Sequence, residues 1–266
     1  MNNKKTDKCR KYVYLALAVL CTAVAITSIA YIFVRHNKTE KQQYIYQSIL
    51  ENVNNSVDSD SNLIDKSVYN IPDKNIDFAK LKKQNSDIYA WITIPDTNID
   101  YPILQSETEL DYYLDHNIDG STGYPGCIYS QFINSKDFSD FNTVLYGHNM
   151  NAGTMFANLH YYRDSEFFNN HPYVYVYTEN SVFVYQVFGA YTFSNVHLLM
   201  GFDLSDEEVR QTYIDNVRSL KGMDDNFNND VKVTTESKLL SLSTCINDQK
   251  TKRYIVSSVL VAKFSR

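Results

Sequence analysis

Cys245 closes the run Ser241-Leu242-Ser243-Thr244-Cys245. Side chains alternate along a strand, so Leu240, Leu242 and Thr244 share one face while Ser241, Ser243 and Cys245 share the other. The apolar set is expected to face a core, leaving Cys245 on a wetter face at the strand end. Arg253 opens the next apolar run. In a hairpin that sets Cys245 opposite Arg253, both side chains lie on one face with Cβ atoms about 5 Å apart. A guanidinium there favours the thiolate and can donate to a carbonyl oxygen becoming an oxyanion. A lone strand cysteine is more often buried and inert, and an arginine at a strand start is more often only solvated. Spacing alone leaves both readings open.

A thiol nucleophile needs a proton acceptor, and the chain has six histidines. His36 flanks an apolar segment, and His116, His160, His171 and His197 read as surface or internally satisfied residues. His148 differs. It follows Thr143-Val144-Leu145-Tyr146-Gly147 and precedes Asn149, an address at the exit of a strand where catalytic groups often sit on a rigid scaffold. Acidic, histidine and cysteine residues show no ligand-spaced set, so neither a metal nor another cofactor is expected.

These residues must be carried by a fold. With 44% hydrophobic and 21% charged residues the chain has material for a folded domain, and a net charge of −6 without a basic stripe argues against nucleic acid. Tyr12 to Val34 carries no charge. As a helix it reaches about 34 Å, enough to cross a hydrocarbon layer of about 30 Å. Lys4, Lys5, Lys8, Arg10 and Lys11 precede it, and the looser group Arg35, Lys38 and Lys41 follows. The positive-inside rule then puts the N-terminus in the cytoplasm and the remainder outside. A cleaved signal peptide near Ser28-Ile29-Ala30 is the rival, although the apolar run exceeds an ordinary signal core. The expected organisation is a cytoplasmic tail (1–11), a membrane anchor (12–34), a polar spacer (35–75) holding a short helix from Gln43 to Val53, and a folded domain (76–266). Cys9 and Cys21 lie in and beside the anchor, and Cys127 reads as core.

Within the folded part, Asp77 caps a short helix bearing Phe78 and Leu81. Eight runs rich in Val, Ile, Tyr and Phe read as strands: 88–94, 99–104, 126–130, 143–146, 173–178, 182–193, 239–244 and 254–264. Their number and uneven turns predict a mainly β, closed or nearly closed barrel. Ser205 with Glu208 forms a capping box, and Val209, Tyr213, Val217 and Leu220 make a helical stripe ending at Lys221-Gly222. A second short helix is expected over Thr154 to Tyr161.

Leu145-Tyr146-Gly147-His148-Asn149 and Leu242-Ser243-Thr244-Cys245, with Arg253 beyond, resemble the His, Cys and Arg motifs of sortases. The resemblance extends through Trp91-Ile92-Thr93-Ile94-Pro95, Asn98-Ile99-Asp100-Tyr101-Pro102-Ile103, Tyr112-Tyr113-Leu114 and Gly126-Cys127-Ile128-Tyr129, covering Phe78 to the C-terminus. It implies a closed eight-stranded sortase-type barrel. N-terminal helices and a helix between strands 6 and 7 are features of class B.

The same resemblance implies a cysteine transpeptidase acting without cofactor, with Cys245 as nucleophile, His148 as general acid and base, and Arg253 at the oxyanion. Tyr146 and Ser243 become candidate substrate contacts. The implied partners are secreted proteins with a C-terminal sorting motif and a peptidoglycan amine. Three alternatives stay in view: a cysteine peptidase that only hydrolyses, a pilus-assembling sortase, and a non-catalytic anchored β-domain.

Overall fold

The computed structural model describes residues 3–54 and 66–266; the intervening stretch, read above as part of a spacer, lies outside the described residues. The chain divides into two units, Met1–Ile45 and Tyr46–Arg266. The first is helical throughout its described part, since α1 runs Asn3–Asn54. Among the described residues this is the one helix long and apolar enough to cross a membrane. Leu17, Leu20, Val24, Ile29 and Phe33 on it are all exposed.

The second unit starts earlier than Ile76. Tyr46, Ile49 and Val53, on the last turns of α1, are buried, and Tyr46 donates its hydroxyl to the Gly126 carbonyl at 3.0 Å. The end of the spacer is also tied to the barrel. Lys74 pairs with Asp100 at 2.7 Å, and Tyr177 donates to the Pro72 carbonyl at 2.6 Å. Asp100 also accepts from the Trp91 indole at 2.7 Å. A buried phenol donor needs an acceptor, and the spacer segment that supplies the Pro72 carbonyl to Tyr177 and Lys74 to Asp100 is held against the barrel wall.

Helix α2 (Phe78–Gln84) is capped by Asp77, whose carboxylate accepts from the Lys80 amide. The strands follow: β1 (Ile88–Thr93), β2 (Asp100–Leu104), β3 (Ile128–Ser130), β4 (Asn142–Tyr146), β5 (Tyr173–Tyr177), β6 (Ser181–Ser194), β7 (Asn226–Phe227), β8 (Leu239–Cys245) and β9 (Lys252–Ser265). Their order is β5-β1-β2-β3-β4-β8-β9-β6, and a β5–β6 pairing closes the ring into an eight-stranded barrel. The two-residue β7 is a ninth strand on the flank of β6, too short to leave a periodic signal. Two pairs are parallel, β2 with β3 and β4 with β8.

Inward residues of these strands form one core, with Ile92, Ile103, Leu145, Val176, Tyr185, Leu242 and Val256 at its centre. Cys127 is buried beside β3; burial pushes its thiol up to about 12, and it donates to the His116 carbonyl at 3.5 Å. A second core lies outside the barrel wall, where Tyr213, Ile214 and Val217 of a helix (Glu207–Ser219) pack on Phe141, Val144, Phe188, Tyr191 and Ile255. This helix lies between β6 and β8, the sixth and seventh strands of the ring.

Its cap is Asp206 rather than Ser205. The Asp206 carboxylate accepts from the Glu208 and Val209 amides at 2.8 and 3.1 Å, while Ser205 turns back to Asp203. A carboxylate at a helix start gains from the dipole as well as the hydrogen bonds, which favours Asp206 over a hydroxyl one position earlier. The helix expected over 154–161 is a 3-10 turn at Ala157–Arg163, followed by a short α-helix at Ser165–Asn170 capped by Asp164.

Asp206→Ala is expected to remove about 1 kcal/mol and to lower the melting temperature by about 2–4 °C. Calorimetry of the detergent-solubilised chain measures this. An unchanged melting temperature would leave Asp206 without a stabilising role.

Candidate active site

The β8–β9 hairpin sets Cys245 opposite Arg253, in the register Thr244↔Tyr254 and Cys245↔Arg253. On its other side β8 runs parallel to β4, with Leu145↔Leu242 and Tyr146↔Ser243. The ladder continues past β4, because the Gly147 amide donates to the Ser243 carbonyl at 3.2 Å and the Thr244 hydroxyl donates to the Gly147 carbonyl at 2.8 Å. His148 therefore leaves the barrel beside Cys245. Gly147 is required at this crossing, since a Cβ there would stand 2.5 Å from Ile128 and 2.8 Å from Phe156.

Every residue of β8 is buried except Cys245. The face carrying Ser241 and Ser243 is therefore not the wetter one expected from alternation; the second core covers it. Its polar atoms are satisfied internally. Ser241 donates to Asn142 at 2.9 Å and lies 3.3 Å from the Ser257 hydroxyl, which bonds that of Tyr191 at 2.9 Å. Alternation reports two faces; it does not report that both are covered.

His148 is half-buried. Its Nε2 donates to the Leu114 carbonyl at 2.7 Å, and its ring lies 4.8 Å from that of Tyr124. Burial lowers its pKa, against the opposing pulls of the Leu114 carbonyl and Asp115. The Leu114 segment is set by Gly126, which has φ +65°; a Cβ there would fall 2.6 Å from the Leu114 carbonyl oxygen. Arg253 uses Nη1 to bond the Lys250 and Lys252 carbonyls at 3.2 and 2.9 Å. Among the described residues its Nε and Nη2 have no partner, and a guanidinium has five donors in all.

Tyr146 and Ser243 pair side by side at the same rim. Ser243 is buried, and Tyr146 stacks on Tyr129 with ring centroids 5.5 Å apart. The Tyr146 hydroxyl is buried without a partner among the described residues, and burial pushes its phenol up. Tyr129 donates instead to Asp111 at 2.9 Å. Burial and the neighbouring Asp111 carboxylate push the Tyr129 phenol up.

Two side chains at this rim were passed over in the sequence. Asn149 and His160 both reach the Cys245 carbonyl, at 3.2 and 3.1 Å. His160 gave no signal, because it stands on a 3-10 turn remote from every motif. Asn149 did stand inside one, directly after His148. Among the described residues there is no cluster of histidine, cysteine and carboxylate groups able to hold a metal ion. A thiol, an imidazole and a guanidinium on one rim are the parts that nucleophilic acyl transfer requires.

The chain is similar to several known proteins. The Sortase domain family matches residues 92–261. Sortase B of Listeria monocytogenes is 33% identical over 185 residues, covering 69% of this chain and 73% of that protein. Sortase B of Staphylococcus aureus is 30% identical over 186 residues, with coverages of 69% and 74%. Among solved structures, Clostridium perfringens sortase B superimposes with a TM-score of 0.63 at 28% identity, over 70% of this chain and 100% of that one. Sortase B from Bacillus anthracis in complex with AAEK1 gives 0.68 at 26% identity, over 86% and 99%. A Staphylococcus aureus sortase B–substrate complex gives 0.61 at 29%, over 69% and 84%. With this much of the sequence and barrel held in common, the chain belongs to the sortase family and is a cysteine transpeptidase of the B class.

Proposed function

We propose that the chain is a membrane-anchored sortase that cuts a C-terminal sorting motif after its threonine and passes the protein to a cell-wall peptidoglycan amine. The observation that carries the reading is the rim of β4, β8 and β9, which joins an exposed Cys245 to Arg253 on one side and His148 on the other. The Staphylococcus aureus sortase B–substrate complex supports a substrate bound by this same barrel.

In this mechanism the Cys245 thiolate attacks the threonine carbonyl carbon, and the carbonyl electrons move to oxygen. Arg253 donates to that oxyanion through the N–H groups not tied to its own hairpin. Collapse breaks the peptide bond, His148 protonates the leaving amine, and a thioacyl enzyme remains. The incoming amine then attacks the thioester, His148 takes its proton, and the thiolate leaves as the new amide forms. Tyr146 is a substrate contact through the part of its side chain left open at the rim, and Ser243, buried beside it, forms the floor. The helix containing residues 12–34 anchors the catalyst with its N-terminus in the cytoplasm and the barrel outside. Anchoring raises the local concentration of membrane-borne substrates.

Incubating the chain with peptides ending in Thr-Gly or Thr-Asn is expected to give a mass adduct on Cys245. Cys245→Ala abolishes cleavage. His148→Ala lowers it about 10²–10⁴-fold, and Arg253→Ala about 10²–10³-fold. Turnover that survives Cys245→Ala rules out the assigned nucleophile.

Burial penalises the imidazolium, so His148 is expected to titrate below the ordinary histidine value of about 6.5. The imidazole NMR signals of the Cys245→Ala variant, followed against pH, report this directly. A midpoint above 6.5 would mean that the Leu114 carbonyl and Asp115 outweigh burial.

A further inference from the structure

The Cys245 carbonyl is the last acceptor before the chain leaves β8, and strand ends fray readily. Two side-chain donors converge on it. Asn149 Nδ2 lies 3.2 Å away and His160 Nε2 3.1 Å away. A carbonyl oxygen only accepts, so the histidine contact requires the proton on Nε2. Asn149 Nδ2 also lies 3.2 Å from Asn247 Oδ1 and 3.1 Å from His160 Nε2. With Nε2 protonated, the two amide hydrogens go to Cys245 and Asn247, and the Asn149–His160 approach is two donors meeting at one acceptor.

The other tautomer fails on two counts. It would set the Nε2 lone pair against the carbonyl oxygen. It would also bury an N–H at Nδ1, which has no partner among the described residues. The imidazole is held in place as well as in tautomer: its ring lies 5.0 Å from that of Tyr254, over which the Arg163 guanidinium sits at 5.0 Å.

The same segment carries His148. Phe156 donates its amide to the His148 carbonyl at 2.9 Å, and Asn149 bridges to Met155. The 3-10 turn with His160 follows at once. We propose that Asn149 and His160 are positioning residues that clamp the peptide plane after Cys245, so that the thiol keeps its aim toward His148. This rests on Cys245 being the nucleophile.

The test compares two substitutions of similar size in the full chain. His160→Leu fills the space without a donor, whereas His160→Gln returns an N–H near Nε2. His160→Leu is expected to lower kcat for peptide cleavage about tenfold, with KM unchanged within about twofold. His160→Gln retains most of the rate, and Asn149→Ala loses kcat at unchanged KM. Melting temperatures taken alongside identify a variant that is slow only because it is unfolded; should His160→Leu unfold, the Asn149→Ala result decides. Wild-type kcat in His160→Leu overturns the proposal, as does His160→Gln being equally slow while folded. The thioacyl adduct on wild-type Cys245 separates the two failures. Its absence defeats the nucleophile assignment and the clamp together, while its presence with unaltered kcat in His160→Leu defeats the clamp alone.

Discussion

The parallel pairing of β4 with β8 is the contact from which the site follows. Parallel neighbours end on the same side of a sheet, and a long crossover must join them. Here the crossover includes β5, β6 and the Glu207–Ser219 helix. The pairing brings the exits of two strands, far apart in sequence, to one rim, and the antiparallel β9 returns a cation to that rim through a short turn. The residues adjoining Cys245 and His148 do the locking: Thr244 bonds Gly147, and Gly147 bonds Ser243. A slip of one residue in this ladder would turn Cys245 away from its partners and carry Leu242 out of the core.

That register is held from two sides. Leu240 and Leu242 interlock with the barrel interior, while Leu239 faces the layer under the outer helix. A strand buried on both faces has little freedom to slide or twist, and close packing passes strain on instead of absorbing it. The serines on the outer face do not weaken this arrangement. Asn142, Ser241, Ser257 and Tyr191 form a hydrogen-bonded chain within the wall, so polar atoms there incur little of the penalty of unmet burial.

Local chemistry in the sequence went far toward this structure. The β-branched and aromatic runs marked the eight barrel strands, the Asp77 cap was legible from its position, and the hairpin supposed to set Cys245 opposite Arg253 is the one found. What escaped was information held in three dimensions. Alternation along 239–245 implied a wet face because nothing local announces a helix packed over a strand. The end of the spacer was assigned outside the folded domain because Lys74 and Pro72 gain partners only once Asp100 and Tyr177 are placed. His160 was passed over for the same reason: its partner is a backbone carbonyl distant in sequence. A backbone carbonyl carries no residue type to search for.

The two cysteines of the compact unit show how environment separates like groups. Cys127 is enclosed beside β3, where removal from water penalises the thiolate and raises its pKa. Cys245 lies one step beyond the covered part of β8, exposed and opposite a guanidinium. Reactivity follows the thiolate and its access, so the fold suppresses one sulfur and presents the other without any difference in covalent chemistry. His148 lies between those extremes. Half-buried and tied to the Leu114 carbonyl, it is biased toward the neutral form, the state that accepts a proton from an attacking amine. In the proposed mechanism it must first be charged in order to act as an acid. In the proposed mechanism the two halves of the reaction depend on Cys245 and His148 staying side by side, and the β4–β8 ladder is what brings their strands together.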